Sequence, residues 1–307
     1  MRAITVLLAL LATACGDDRL FDPGRSVRLA FGVTGLPDGA SAEYRVFVQD
    51  TVAIAHGRIA NSESDTVRIS STAGLRVRWQ DALVPVGEAD YIFGPGQREV
   101  LLDESDTDTT VAVAGSYALA SGGFILNAPG VPLQASARWY AWNEDDSLVA
   151  VGPLRAGEVV RRGDLPPGNA RLELDTVRVE LNGLGHYYAA PQQVFPLSIN
   201  ASLDLIPVEA PYALASVVVR VSPSGLPAGT YAPWGMNSVA GEFGAGGRAL
   251  TDDFQLAEGI RPGSYTFEWG EVTVDGVTYR PDPASQPATL VPSLEPYEFE
   301  AVYAPAP

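Results

Sequence analysis

Lysine is missing from this 307-residue sequence, and cysteine, methionine and histidine are nearly so. All 20 cationic side chains are arginine, against one cysteine, two methionines and two histidines. A single cysteine, Cys15, excludes an intramolecular disulfide and the thiolate zinc sites. His56 and His186 stand 130 residues apart without a ligand or nucleophile motif beside either, and no Gly-x-Ser-x-Gly elbow occurs. No stretch is basic: acidic residues exceed arginines by 17, and the excess is spread along the chain. That removes the electrostatic footprint of a nucleic-acid binder and disfavours lying flat on anionic lipid. Beyond the first fifteen residues no segment of about ten keeps a helical period, so helical classes are excluded too. No motif places a nucleophile with a base, or two carboxylates together, so the sequence reads as a non-enzyme without a cofactor.

What is present begins with an apolar head. Arg2 precedes a run from Ala3 to Ala12 that is apolar except for Thr5, and Ala12-Thr13-Ala14-Cys15 closes it with small residues. An apolar run of roughly 7–15 residues before small residues reads as a signal peptide and is too short to span a bilayer. With Cys15 at its end, the segment resembles a bacterial lipobox, although Leu11 lies one place earlier than the usual leucine. The resemblance implies a signal peptide over 1–14, acylation of Cys15, and a lipidated tether over 15–24. Gly16 after the cysteine points to the outer membrane. The alternatives are an ordinary secretory signal with an incidental cysteine, or the short apolar start of a cytosolic protein.

The rest of the chain repeats. Gly35-Leu36-Pro37, Gly130-Val131-Pro132 and Gly225-Leu226-Pro227 lie 95 residues apart, as do Trp79, Leu174 and Trp269. Tyr117-Ala118-Leu119-Ala120-Ser121 returns as Tyr212-Ala213-Leu214-Ala215-Ser216 and again as Tyr303-Ala304-Pro305. A period this long exceeds a solenoid unit and matches a small domain. Modules are expected over 25–121, 122–216 and 217–307. Within them, Val27-Arg28-Leu29-Ala30-Phe31, Tyr44-Arg45-Val46-Phe47-Val48, Thr66-Val67-Arg68-Ile69 and Thr110-Val111-Ala112-Val113 alternate as half-buried strands do. Asp275-Gly276 between Val274 and Val277 predicts a tight hairpin.

These residues carry a family resemblance. The order of Gly225-Leu226-Pro227, Ile260-Arg261-Pro262-Gly263-Ser264-Tyr265 and Val272-Thr273-Val274-Asp275-Gly276 is similar to tandem Ig-like sandwich repeats of bacterial surface and secreted proteins. In the second copy it reads Gly130-Val131-Pro132, Leu165-Pro166-Pro167-Gly168 and Tyr187-Tyr188 through Gln193; in the first only Gly74, Tyr91, Pro95 and Gln97 remain. The implied fold class is all-β: three tandem Ig-like or prealbumin-like β-sandwich domains. The implied role is a non-catalytic spacer or surface protein, with a glycan- or protein-binding module at the cell surface as the alternative.

Candidate chemistry is sparse. Gly244-Ala245-Gly246-Gly247 lacks the lysine of a phosphate loop and reads as a hairpin loop. Asp103-Glu104-Ser105-Asp106-Thr107-Asp108 lacks the glycine and closing glutamate of a calcium loop and reads as a solvated turn, as does Glu144-Asp145-Asp146. Aromatic residues recur nine positions after each triplet glycine, at Tyr44, Trp139 and Trp234, which assigns them to a core. Tyr140 and Trp142 have the opposite strand parity from Trp139 and should face outward. They are the two residues on which a glycan or a protein partner would stack.

Overall fold

The computed structural model describes residues 27–48, 51–70, 74–102, 110–241 and 243–307. The signal peptide and tether with Cys15, and the acidic segment Asp103–Asp108, lie outside the described residues. The described chain is all-β, without an α-helix. It divides into two compact units, Met1–Ile125 with Arg161–Ala170 and Leu197–Pro207, and Leu126–Val160 with Arg171–Pro196 and Val208–Pro307.

In the first unit, strand Val27–Thr34 buries Val27, Leu29, Phe31 and Val33 on one side, as its alternation requires. It pairs antiparallel with Ser64–Ile69 and parallel with Thr110–Leu119, which in turn pairs with Ala89–Pro95. A second layer runs Val52–Ala60, Ser41–Val48, Leu75–Trp79, Glu99–Leu101. The layers face each other through rings: Phe31 stacks on Tyr44 at 3.8 Å, and Trp79 stands edge-on to both. Two layers around one apolar core make an Ig-like, prealbumin-like sandwich.

The second unit contains the same plan at its end. Val217–Ser224 pairs antiparallel with Gln255–Ile260 and parallel with Tyr297–Pro305. The facing layer runs Gly244–Leu250, Tyr231–Ser238, Gly263–Trp269, Ser285–Leu290. Phe267 stacks on Phe299 at 4.3 Å across the core. Asp275 and Gly276 both take positive φ, 48° and 81°, in the two-residue turn expected of them. Gly244–Gly247 departs from expectation: it is not a loop but the start of an edge strand paired with Tyr231–Ser238. A Cβ on Gly247 would lie 3.2 Å from the Trp234 indole nitrogen, and one on Gly246 would lie 2.9 Å from the Trp234 carbonyl. The glycines are there because backbone passes close beneath a core ring, which outweighs their turn preference.

The same arrangement occurs elsewhere. Tyr44 pairs with Gly57, Trp139 with Gly152, and Trp234 with Gly247. A second recurring device joins the triplet glycine, the tryptophan position and the closing tyrosine. Gly35, Gly130 and Gly225 take φ of 84°, 86° and 81°, and a Cβ on any of them would fall on the carbonyl oxygen of Tyr117, Tyr212 or Tyr303. Those tyrosine hydroxyls donate to the carbonyls of Gln80, Asp175 and Gly270 at 2.7, 2.8 and 2.9 Å. Each acceptor is the residue after Trp79, Leu174 or Trp269.

The chain continues from one sandwich edge with little slack. Between strands Thr110–Leu119 and Gly122–Asn127 stand only Ala120 and Ser121. Ala120 N–H donates to the Ile92 carbonyl at 2.8 Å, and the buried Ser121 Oγ accepts from Ile92 N–H at 2.7 Å. In the other unit Ala215 and Ser216 do the same with Tyr187, at 2.7 and 2.8 Å. The first of these places is further held by Tyr91 OH donating to the Leu203 carbonyl at 2.7 Å. At the second, the Glu258 carboxylate accepts from Gly185 N–H and Arg178, both at 2.8 Å.

Candidate functional site

Strand Ser136–Asn143 sorts its aromatics by parity. Trp139 is 2% exposed in the core, whereas Tyr140 and Trp142 sit half-buried on the opposite face. Their ring centroids lie 6.5 Å apart and their planes 26° from parallel, a loosely stacked pair. The pairing with Leu148–Arg155 slips between Ala141 and Trp142. Such a bulge turns a side chain out of strict alternation.

The rings form one wall of a cleft of about 360 Å³, completed by Glu173, Leu174, Asp175, Gln193 and Val194. Tyr140 OH donates to Asp175 Oδ2 at 3.1 Å. The Arg171 guanidinium lies 5.3 Å from the Trp142 ring. Arg171 is itself ion-paired with Asp146 and, at 2.8 Å, with Glu173. The hydrogen bonds Arg171 donates to Asp146, and then to Glu173, raise its pKa above the ordinary value. Gln193 Nε2 donates to Thr176 Oγ1 at 2.7 Å, and Gln193 O accepts from Leu174 N–H at 2.9 Å. The floor is anchored by the latch described above: Tyr212 OH on the Asp175 carbonyl. Burial, followed by the nearby Asp175 charge, pushes the Tyr212 hydroxyl up to about 12; Tyr117 and Tyr303 reach about 12 as well, chiefly by burial.

The positions 95 residues to either side carry different side chains. Ninety-five residues earlier, Arg45 and Phe47 stand in place of Tyr140 and Trp142, and the Arg78 guanidinium lies 4.9 Å from the Phe47 ring. Arg76 and Arg78 share Glu99 there at 2.9 and 2.7 Å, which holds the Glu99 carboxyl below its ordinary pKa. Ninety-five residues later stand Gly235 and Asn237, without rings. A smaller cleft of about 290 Å³ lies among Glu88, Asp90, Arg161, Arg162 and Asp164. Its charges largely neutralise one another through Arg161–Glu88 and Arg162–Asp164 pairs.

The remaining candidates are dispersed. His56 is exposed and His186 is buried, and among the described residues no three His, Cys, Asp or Glu side chains gather as a metal site. Glu144-Asp145-Asp146 is an exposed turn capped by Asn143 Oδ1, with Asp146 engaged to Arg171. Tyr140 and Trp142, singled out from strand parity, line this cleft together with Arg171's partner Glu173 and with Leu174, Asp175, Gln193 and Val194, none of which the sequence pattern singled out for a site. Arg171 and Glu173 share outward parity on strand Gly168–Leu174, and that was the available signal.

No family description and no curated protein matches this chain. Among solved structures it is similar to a streptococcal ancillary pilin, at 11% identity over 92% of this chain and 100% of that one, TM-score 0.34. It is also similar to BcpA, the major pilin subunit of Bacillus cereus, at 11% identity over 92% and 99%, TM-score 0.28. A third is the Bacillus anthracis TIE protein, at 12% identity over 92% of this chain, which spans 50% of that protein, TM-score 0.29.

Proposed function

We propose that this is an exported lipoprotein, acylated at Cys15 and built of three sandwich modules over 25–121, 122–216 and 217–307, that acts without catalysis as a membrane-anchored spacer. The observation that carries the spacer reading is the pair of serine joints. Ser121 and Ser216 are buried, and each is hydrogen-bonded to a backbone N–H 29 residues upstream. At each of these two places only two residues stand between strands and both are tied down, which supports short, ordered connections. Acyl chains on Cys15 would contribute about 0.8 kcal/mol per buried CH₂, so more than one chain makes a firm anchor. In a bacterial host, Cys15→Ser should abolish incorporation of labelled palmitate and move the protein from the membrane to the soluble fraction. A wild-type protein that is soluble and unlabelled would refute the anchor.

The cleft beside Tyr140 and Trp142 favours a second reading, a binding module at the cell surface. It supplies ordered aromatic surface and hydrogen-bond acceptors where the neighbouring stretches supply arginines or glycine.

A further inference from the structure

We infer that the Tyr140–Trp142 cleft is a subsite for a neutral pyranose ring of a glycan, an inference that rests on reading this cleft as a binding site. Five observations select that ligand. The two rings are 26° from parallel and adjacent along one strand. Near-parallel rings, not a cage of crossed rings, suit the flat C–H face of a sugar better than a spherical ammonium. One cation, Arg171, already lies against the Trp142 ring. It is tied to Asp146 and Glu173, so it fixes the ring and answers the nearest carboxylate.

The polar lining is rich in acceptors. Among the described residues the Asp175 carboxylate accepts only from the Tyr140 hydroxyl, at 3.1 Å, and the Gln193 amide donates to Thr176. A ligand that presents several hydroxyl donors matches this set. Charge excludes the acidic glycans: Glu173 and Asp175 line the cleft in a chain of formal net charge −17. Size sets the scale. About 360 Å³ lies at the small end of ligand sites, which begin near 300 Å³, so the cleft takes one or two rings of a chain that runs on past it. Val194, 49% exposed at its rim, leaves that path open. A protein partner would need on the order of 1,000 Å² of complementary surface, far more than this cleft provides.

The test is titration of the full chain, followed by calorimetry and tryptophan emission, with neutral tetrasaccharides of glucose, mannose, galactose and xylose in α and β linkages. Trigalacturonic acid and choline serve as charged probes. Saturable binding of at least one neutral tetrasaccharide is expected, with none of trigalacturonate. Trp142→Ala and Tyr140→Ala should each weaken it at least about tenfold, the effect of removing a central aromatic contact. Thermal unfolding checks that these variants remain folded. Val194→Arg, a change at an exposed position, should block the cleft and weaken binding even if the aromatic variants do not fold. Binding of choline alone would overturn the sugar assignment while keeping the cleft as a binding site. Binding of a neutral glycan that Val194→Arg and the aromatic variants leave unchanged places the sugar elsewhere and overturns the inference. No binding of any probe overturns both it and the reading of the cleft as a site, and leaves the spacer.

Discussion

Replacing Gly152 by alanine adds one methyl group, and the structure says where it goes. It would lie 2.8 Å from the Trp139 indole, which is 2% exposed and has no room to withdraw. Two effects oppose each other. Alanine restricts the unfolded chain and stabilises by about 0.4–1 kcal/mol where the backbone allows it. The backbone does allow it, because none of Gly57, Gly152 and Gly247 has a left-handed φ. Overpacking a filled core costs about 1–3 kcal/mol. The clash therefore wins, with a net loss of about 1–2 kcal/mol. Gly57→Ala should lose at least as much. Its methyl meets Tyr44 Oη at 2.5 Å, and that ring is pinned by Phe31 and by a 2.8 Å hydrogen bond to Asp65. Gly247→Ala should lose less than Gly152→Ala, because its methyl meets the Gln255 side-chain amide at 3.0 Å and the Trp234 indole nitrogen at 3.2 Å, looser approaches than 2.8 Å. Urea unfolding of the full chain by tryptophan emission, with hydrogen exchange read over the hairpin concerned, gives the three values. A Gly152→Ala protein as stable as wild type, or a Gly247→Ala protein as damaged as Gly152→Ala, would refute the close-approach account.

Two further outcomes follow from recurring bonds. Tyr117→Phe, Tyr212→Phe and Tyr303→Phe should each destabilise by about 0.5–1.5 kcal/mol, and by more if the abandoned carbonyl stays dry, as denaturant midpoints would show. The same hydroxyls titrate in the folded chain at about 12 against an ordinary 10.0, so their neutral form is the favoured one; stability should hold below pH 10 and fall as pH rises from 10 to 12, and less steeply in the phenylalanine variants. Ser121→Ala and Ser216→Ala leave the N–H of Ile92 or Tyr187 unpaired at a buried joint, a loss of about 1–3 kcal/mol that should appear as faster amide exchange at Ile92 or Tyr187 alone.

Much of this molecule is readable from its residues, but unevenly. Strand alternation placed Val27, Leu29 and Phe31 inside, and parity separated Trp139 from Tyr140 and Trp142, because both depend only on immediate neighbours. Gly35 and Tyr117 are each visible as repeat marks, yet their meeting is not, since the glycine stands 82 positions before the carbonyl that requires it. Gly57, Gly152 and Gly247 also keep the 95-residue spacing, but a glycine in a strand looks like a turn until the ring across the ladder is known. Gln193 and Val194 were beyond reach for the same reason: they join the cleft from a segment about fifty residues after Trp142.

The parallel pairing of a first strand with a last one has a mechanical consequence. Val27–Thr34 runs beside Thr110–Leu119 from Arg28 opposite Thr110 to Thr34 opposite Ser116, and Val217–Ser224 beside Tyr297–Pro305 in the same sense. In such a pair the chain enters at one end of the ladder and leaves at the other. Tension between entry and exit is then directed along the strands, across every rung at once, and the rungs share the load in shear. An antiparallel pair with both ends on one side would open like a zipper, one rung at a time. Pulled at its two ends, each of these strand pairs would thus yield at high force and abruptly, not by gradual peeling.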